Sequence, residues 1–169
     1  TDAIALGGAV SGTSTLVIQP KTDTTTIGLG TDASGTLSLT DTELGRLSDG
    51  FTSITIGSTT GTGAINYATS GSYTFNDPLT IRSATSGGGA ISATTALATG
   101  TNNLTITTGG TVGLAGVTSG ALAVTGNGIT LNGDITTSGT QGYTGAVTLG
   151  GGDRTLQGTT ITTSSTLAG

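Results

Sequence analysis

The chain has 169 residues, of which 33% are hydrophobic, 8% are charged and 3% are aromatic. It contains no Cys and no His, which excludes disulfide frameworks and the common nucleophile–histidine pairs of hydrolytic enzymes. Only four Lys and Arg oppose nine Asp and Glu, for a net charge of −5, and this balance excludes nucleic-acid binding as a function.

The 32 glycines and the abundance of Thr raise the alternative of a disordered coil. Against that alternative, β-branched residues and Leu recur in phase and the net charge is modest. The sequence therefore predicts an ordered fold with a thin aliphatic core, because too few aromatic residues are present to fill a thick one. No apolar run of about 18 residues occurs, so no membrane insertion is expected.

Short segments with alternating apolar residues begin early in the chain. They are Ile4-Ala5-Leu6, Leu16-Val17-Ile18 and Leu37-Ser38-Leu39, with Leu29 between the last two. Alternation with a period of two is typical of a half-buried strand. We expect these segments to be strands of the first turns of a repeat, with looser phasing before residue 50.

From residue 54 onward, a triad of apolar, Thr and apolar residues recurs at a fixed spacing, here called the triad period. The triad period is about 25 residues, a length typical of a repeat architecture. The copies are Ile54-Thr55-Ile56, Leu79-Thr80-Ile81, Leu104-Thr105-Ile106 and Ile129-Thr130-Leu131, with a weaker fifth at Arg154-Thr155-Leu156. We predict that the apolar members of the first four triads form a core strand repeat and that each Thr faces outward.

Two further strand positions fit between successive triads. The middle position is carried by Ile65, Ile91, Val112-Gly113-Leu114, Ile135 and Ile161, with loops of unequal length. The other holds Tyr73-Thr74-Phe75, Leu97, Leu122-Ala123-Val124 and Val147-Thr148-Leu149. Within the latter set, Leu97, Leu122 and Val147 are again separated by the triad period.

Three short strands per turn predict an all-β fold, a right-handed parallel β-helix (β-solenoid) of about seven rungs of roughly 25 residues. Residues 1–169 are expected to form a single β-solenoid repeat domain, a segment or subunit of a larger fibre. The alternative fold is a pilin-like β-sandwich completed by a donated strand over residues 3–10.

Turn-forming residues precede the triads at one phase, in Asp77-Pro78, Asn102-Asn103 and Asn127-Gly128. Asp77, Asn102 and Asn127 are candidates for a structural ladder of polar side chains along the repeat axis. The alternative is that they lie in separate surface turns.

The acidic residues are scattered, and Asp41 and Glu43 form the one close pair, which a solvated turn explains better than acid–base catalysis. The chain is therefore not expected to be an enzyme, and no catalytic residue, cofactor or cofactor-binding residue is predicted. Gly150-Gly151-Gly152-Asp153 is a fragment of a calcium-binding nonapeptide, but it does not repeat, so a glycine-rich turn is favoured and no metal ligand is predicted. A hard-cation site with Asp77 or Asp153 stays open.

Three stretches carry a family resemblance: residues 47–65 (LSDGFTSITIGSTTGTGAI), residues 75–91 (FNDPLTIRSATSGGGAI) and residues 129–158. Their sequences resemble repeats of filamentous-haemagglutinin-like surface proteins, the two-partner-secreted or autotransported β-helical adhesins of bacteria. The resemblance implies an extracellular or cell-surface β-helical rod, exported unfolded, that serves adhesion, cell coating or biofilm. It implies no catalytic or binding residue.

We therefore expect a structural component of a bacterial extracellular fibre or surface layer, assembled by continued or end-to-end stacking of β-helix rungs. Its expected partner is itself, as a homopolymer or a longer covalent array. The alternative function is a binding module, an adhesin whose outward Thr residues bind ice or a cell-surface glycan. A flat face of this kind needs Thr-x-Thr in successive rungs, whereas the triads carry one Thr each.

Overall fold

The computed structural model describes residues 2–169 and shows a mostly β chain with one short helix. The strands in chain order are β1 (Thr15–Ile18), β2 (Ile27–Leu29), β3 (Leu37–Leu39), β4 (Ser53–Ile56), β5 (Ile65–Tyr67), β6 (Leu79–Arg82), β7 (Ile91–Ala93), β8 (Leu97–Ala98), β9 (Leu104–Thr107), β10 (Thr111–Leu114), β11 (Val117–Ser119), β12 (Leu122–Leu131), β13 (Ile135–Thr137), β14 (Thr140–Leu149), β15 (Leu156–Gln157), β16 (Thr160–Thr163) and β17 (Leu167–Ala168). The helix α1 (Asp41–Leu44) lies between β3 and β4.

The strands form three stacks, and each pairing within residues 2–169 is parallel. The first stack runs β1, β4, β6, β9, the first part of β12, the first part of β14, and β16. The second runs β3, β2, β5, β7, β10, the second parts of β12 and β14, and β17. The third runs β8, β11, β13 and β15. The first two stacks together make one curled 13-stranded sheet, so the architecture is solenoid-like.

The core consists of files of apolar side chains that pass from strand to strand. Paired residues of a parallel sheet face the same side, so an inward residue lies directly against its equivalents in the neighbouring strands. All eight residues predicted as the core strand repeat are buried, with at most 1% of their surface exposed. They are Ile54, Ile56, Leu79, Ile81, Leu104, Ile106, Ile129 and Leu131.

The triad period describes the stacking only as far as Leu104. Leu79 pairs with Leu104 as predicted. Leu104 then pairs with Leu122, which comes earlier in the chain than Ile129, the residue one full period on. Ile129 lies in the second stack, where it pairs with Val112. The prediction that the triad Ile129-Thr130-Leu131 continues the first stack is therefore wrong.

Shorter connections between the first and second stacks explain this change. Residues 83–90 separate β6 from β7, only residues 108–110 separate β9 from β10, and β12 passes through both stacks as one strand. We call one turn of the chain through the stacks a coil. When a coil contains fewer residues than the triad period, the residue one full period further along the chain lies in the second stack and not in the first. The period persists in the sequence, but it no longer connects paired residues.

The middle strand position is confirmed for its first three members and corrected for the last two. Ile65 pairs with Ile91, and Ile91 pairs with Val112, all in the second stack. Ile135 lies in the third stack and Ile161 lies in the first. The cause is again the loss of loop residues after β9.

The remaining predicted position divides among all three stacks. Leu97 belongs to the third stack, Leu122 to the first and Val147 to the second. Their regular spacing therefore does not reflect pairing. Thr74 makes an isolated parallel bridge with Ala98, which extends the third stack by a single residue pair below β8.

The end of the solenoid that carries β1 and β3 is covered by residues 2–10, here called the N-terminal cap. Ile4, Leu6 and Val10 are partly buried against the core, and Val10 makes a parallel bridge with Leu47. A cavity of about 250 Å³ remains between the cap and the outer strands. The alternative of a sandwich completed by residues 3–10 does not fit, because sandwiches are built from antiparallel sheets.

The strand β3 adds to this end by pairing with β2 on the side opposite β5. The connection from β2 to β3 starts at Gly30, whose φ of 104° is one that side-chain-bearing residues rarely adopt. A Cβ at Gly30 would also collide with the carbonyl group of Ala68. A glycine is therefore required where the chain leaves the second stack. No helix in residues 2–169 has the length and apolarity needed to cross a membrane.

Engineered disulfides can test the register after Leu104. Thr105 and Ala123 are paired on adjacent strands, so their Cα atoms are about 4.8 Å apart, within the range that a disulfide bridges. The double variant Thr105→Cys with Ala123→Cys should cross-link under mild oxidation, as seen by loss of free thiols and a shift in non-reducing electrophoresis. The chain has no native Cys to interfere.

The matched control is Thr105→Cys with Thr130→Cys, which are separated by one triad period but lie in different stacks. This pair should stay reduced within the monomer. Preferential cross-linking of the control pair would contradict the register and restore a coil of constant length.

Candidate functional site

The close pair of carboxylates in α1 serves to hold the local structure together. Thr40 and Glu43 form a reciprocal capping box at the start of the helix, in which each side chain accepts the other residue's backbone N–H. Asp41 accepts hydrogen bonds from the Thr31 N–H, at 3.0 Å, and from the N–H and hydroxyl of Ser70. Asp41 therefore joins α1 to the connection after β2 and to the connection after β5.

Hydrogen bonds to two carboxylates, Asp2 in the cap and Glu43 in α1, hold the N-terminal cap in place. Asp2 Oδ1 accepts the N–H groups of Lys21 and Thr22 at 2.9 and 3.0 Å. Glu43 Oε1 accepts the N–H of Leu6 at 2.9 Å. Each bond favours the ionised carboxylate, so the cap is attached to the solenoid by charge-assisted contacts.

These contacts lower the pKa values of three carboxyl groups below their ordinary values. The Ser70 hydroxyl and then the Thr31 N–H lower the pKa of Asp41, and bonds from Thr22 lower that of Asp2. The backbone N–H of Thr40, followed by that of Leu6, lowers the pKa of Glu43. All three groups are accessible to solvent, so salt and water screen their charges.

We predict that acid loosens the cap and the contacts of Asp41 before it unfolds the stacked strands. A carboxyl group with a lowered folded-state pKa stabilises the fold above its unfolded-state pKa, and this contribution is lost as the pH falls through the folded-state value. Protection of the Leu6, Lys21 and Ser70 amides against hydrogen exchange should therefore drop below about pH 4. The measurement is an NMR exchange series, corrected for intrinsic exchange rates.

The Ile106 amide in the core strand β9 is the internal control and should keep its protection over the same pH range. In Asp41→Asn, the Ser70 amide should already exchange faster at neutral pH. A loss of protection at Leu6 that is no greater than the loss at Ile106 in the native chain would show that acid acts on the whole fold and not on the cap.

The ladder candidates occupy different places. Asp77 is buried and its Oδ1 accepts the N–H of Gly50 at 3.1 Å. Asn102 lies one coil above it and donates from Nδ2 to the Asn76 carbonyl at 2.7 Å. Asn127 lies within β12, next to the second stack, where its N–H donates to the Gly110 carbonyl. Asp77 and Asn102 are thus brought to adjacent levels of one corner, while Asn127 is at another.

The Gly150–Asp153 segment forms a tight turn before β15. Gly151 and Gly152 have φ values of 74° and 110°, and the Arg154 guanidinium donates to the carbonyl groups of Gly151 and Asp153. The turn carbonyls thus have a cationic partner. Residues 2–169 contain no group of three or more acidic side chains placed to hold a metal ion.

Thr residues occupy some of the outward strand positions, mostly one to a strand. In the first stack the outward file runs Thr55, Thr80 and Thr105, and then continues with Ala123 and Gly142. Thr55 is buried, and Thr80 and Thr105 are half-buried. The file is interrupted by residues without hydroxyls, so it does not make a regular lattice over the whole stack. The structure instead places a denser group of hydroxyls beside the third stack.

These hydroxyls line a groove with a volume of about 490 Å³, here called the hydroxyl groove. Residues 69–74 of the connection between β5 and β6 form one wall, and Thr95, Ala96, Ala98 and Thr118 form the other. The groove lies where the third stack is reduced to the single Thr74–Ala98 bridge and a long connection, residues 68–78, joins β5 to β6. No charged side chain lines it.

Tyr73 fixes the floor of the groove. Its hydroxyl donates to the Leu44 carbonyl at 2.6 Å, and its ring contacts Phe75 edge-on, with 4.9 Å between centroids. Burial raises the pKa of Tyr73 to about 12, so the hydroxyl remains a donor at neutral pH. Thr69 and Thr95 also hydrogen-bond to each other. The groove is therefore a preformed surface.

A buried polar network inside the coils was not expected from the sequence. Gln141 and Tyr143 occupy inward positions of the first stack, beside Leu122 and Val124 of the preceding coil. The Tyr143 hydroxyl donates to Gln141 Oε1 at 2.9 Å, and Gln141 Nε2 donates to the Gln157 carbonyl at 2.7 Å. The alternation of Gln141 and Tyr143 along the strand was the available signal, but a Gln is not ordinarily counted as a core residue.

We predict that Gln141→Leu destabilises the chain by about 1–3 kcal/mol, because it leaves the buried Tyr143 hydroxyl without its acceptor. The double variant Gln141→Leu with Tyr143→Phe should lose less, because both partners become apolar like their neighbours in β12. The measurement is the urea midpoint of unfolding. A single variant as stable as the native chain would contradict a stabilising role for the network.

No protein-family model matches this chain, and comparisons with curated proteins and with solved structures return no significant match.

Proposed function

We propose that this chain is a structural segment of a bacterial extracellular fibre or cell-surface layer. The observation that carries this function is the continuous parallel stacking, in which the strands of the first stack pair in succession from β1 to β16. Such an arrangement is quasi-one-dimensional: each coil contacts only its neighbours, so length is gained by adding coils.

The finer architecture belongs to the same proposal. The three stacks are the three faces of a right-handed β-helix, since crossovers between parallel strands are right-handed in nearly all proteins. Coils that span one triad period then give way to shorter ones after Leu104 without a break in the ladder. Residues 1–169 would form one repeat domain.

The distribution of polar groups supports a structural function over catalysis. Asp41 and Glu43, the one close carboxylate pair in the sequence, are occupied by hydrogen bonds that connect segments of the fold. The outer faces carry mainly hydroxyls and small residues, which suit a low-charge rod. We therefore assign no catalytic residue and no cofactor.

Extracellular or cell-surface localisation rests on the resemblance of residues 47–65, 75–91 and 129–158 to repeats of large secreted adhesins. The low charge and the absence of Cys are compatible with export in an unfolded state followed by folding outside the cell. Parallel ladders with short loops leave few flexible sites for proteases, which is useful to an exposed fibre.

Continued stacking is part of the proposed function. The apolar side chains of Ile161 and Leu167 extend the inward files of the first and second stacks, yet 39% and 50% of their surfaces are exposed. A further coil, from the same polypeptide or from a second copy, would cover them and pair with the free edges of β16 and β17. The capped end would meet such a coil only after its residues 2–10 moved.

Electron microscopy of the purified chain tests this function. Once the cap (residues 2–10) has moved or been removed, we expect unbroken fibres whose power spectrum has a meridional reflection near about 4.8 Å, the spacing of stacked strands. Discrete short rods at every concentration and after removal of the cap (residues 2–10) would overturn end-to-end stacking.

A pair of charge variants provides the control. Ile161→Lys with Leu167→Lys places two cations on the exposed edge, and it should abolish the fibres while the circular dichroism spectrum is retained. Thr136→Lys with Thr148→Lys places the same charge on exposed lateral positions and should leave the fibres intact. Fibres that are lost equally in both variants would point to lateral association.

A further inference from the structure

The hydroxyl groove offers hydrogen-bonding groups that the fold itself does not use. The hydroxyls of Ser72, Thr74 and Thr118 are exposed and have no hydrogen-bond partner within residues 2–169. They come from both walls of the groove, so a ligand lying in it can contact all three. Thr136, the outward residue that pairs with Thr118 in the next coil, is also exposed but does not line the groove.

The groove is polar but neutral, which limits the chemistry of its ligand. No Lys, Arg, Asp or Glu is among its lining residues. Ser70, in one wall of the groove, donates hydrogen bonds to the Asp41 carboxylate, which also accepts one from the Thr31 N–H. An anionic or cationic ligand would therefore lose hydration without gaining an opposite charge, whereas a neutral polyhydroxyl ligand would exchange water for matching hydrogen bonds.

Tyr73 adds an aromatic surface to these hydroxyls. Its ring is held by the hydrogen bond to Leu44 and by Phe75, and it remains partly exposed in the groove. Because its rotamer is already fixed, a ligand that packs against the ring incurs no further ordering cost there. A ring with an apolar face and hydroxyl edges, as a sugar has, matches both the aromatic surface and the surrounding hydroxyls.

We propose that the hydroxyl groove is a binding site for an extended neutral glycan, with Tyr73 as the packing surface and Ser72, Thr74 and Thr118 as the hydrogen-bonding side chains. The groove opens along the outer file of the third stack, from Ala98 to Thr118. Successive strands there are about 4.8 Å apart, close to the length of one sugar unit in an extended chain. The site is independent of the structural function, since it lies on the side of the solenoid and not on its ends.

The test is a titration of the full chain with soluble oligosaccharides of cellulose, chitin, starch and mannan, with a heparin oligosaccharide as the charged comparison. Binding is measured by calorimetry and by NMR shifts of the amides. We expect at least one neutral oligosaccharide to bind, with shifts confined to residues 69–74 and to Thr95, Ala98 and Thr118, and no binding of heparin. No binding of any neutral oligosaccharide, or binding of heparin alone, would overturn the site.

Two exposed Thr residues on outward strand positions give a matched pair of blocking variants. Thr118→Trp fills the groove and should weaken binding by more than about tenfold, while Thr148→Trp, on the second stack, should leave it unchanged. Both retain the fold if their amide spectra stay dispersed. Ser72→Ala and Thr74→Ala should each weaken binding by about threefold to tenfold. Affinity that is unaffected by Thr118→Trp, or reduced equally by Thr148→Trp, would place binding elsewhere and contradict the proposal.

Discussion

The parallel backbone ladder is the constraint on which the rest of this structure depends. Strands can pair in parallel with their equivalents in the next coil only if inward residues meet inward residues, since a shift by one position would turn the apolar set toward solvent. Ile54, Leu79 and Leu104 satisfy this condition directly. Loop length, the cap and the groove vary around this pairing, and the register shift between β12 and β14 lies at the corner between the first two stacks, so inward residues still meet inward residues on either side of it.

Loop length is the variable that this constraint leaves free. The connection between the first two stacks shrinks from residues 83–90 to residues 108–110 and then to residues 126–127 inside β12. The pairing of β12 with β14 shifts register at these two residues and resumes at Gly128. Where the coils are compact, inward positions also accept polar residues, because Gln141 and Tyr143 satisfy each other. The longer connection between β5 and β6 supplies one wall of the hydroxyl groove.

The two ends of the stacked strands differ in how far their apolar residues are covered. Residues 2–10 cover the β1–β3 end with partly buried apolar residues and with hydrogen bonds to Asp2 and Glu43. The β16–β17 end presents Ile161 and Leu167 to solvent. End-to-end stacking, one part of the proposed structural function, depends on the exposed β16–β17 edge. The proposed glycan site depends on the side wall, so stacking and glycan binding can succeed or fail separately.

The sequence by itself determined the class of architecture and the core residues, because alternation and recurrence are local properties: all eight predicted core residues are buried. It also led to the pairings of Ile65 with Ile91 and of Leu79 with Leu104. Only the tertiary structure decided which strands pair after Leu104. Leu122 and Ile129 both lie in segments that alternate apolar and polar residues, so the sequence pattern alone cannot tell which of them pairs with Leu104. The hydroxyl groove and the Gln141–Tyr143 network were likewise decided there, because they bring together residues from different coils whose proximity depends on loop length.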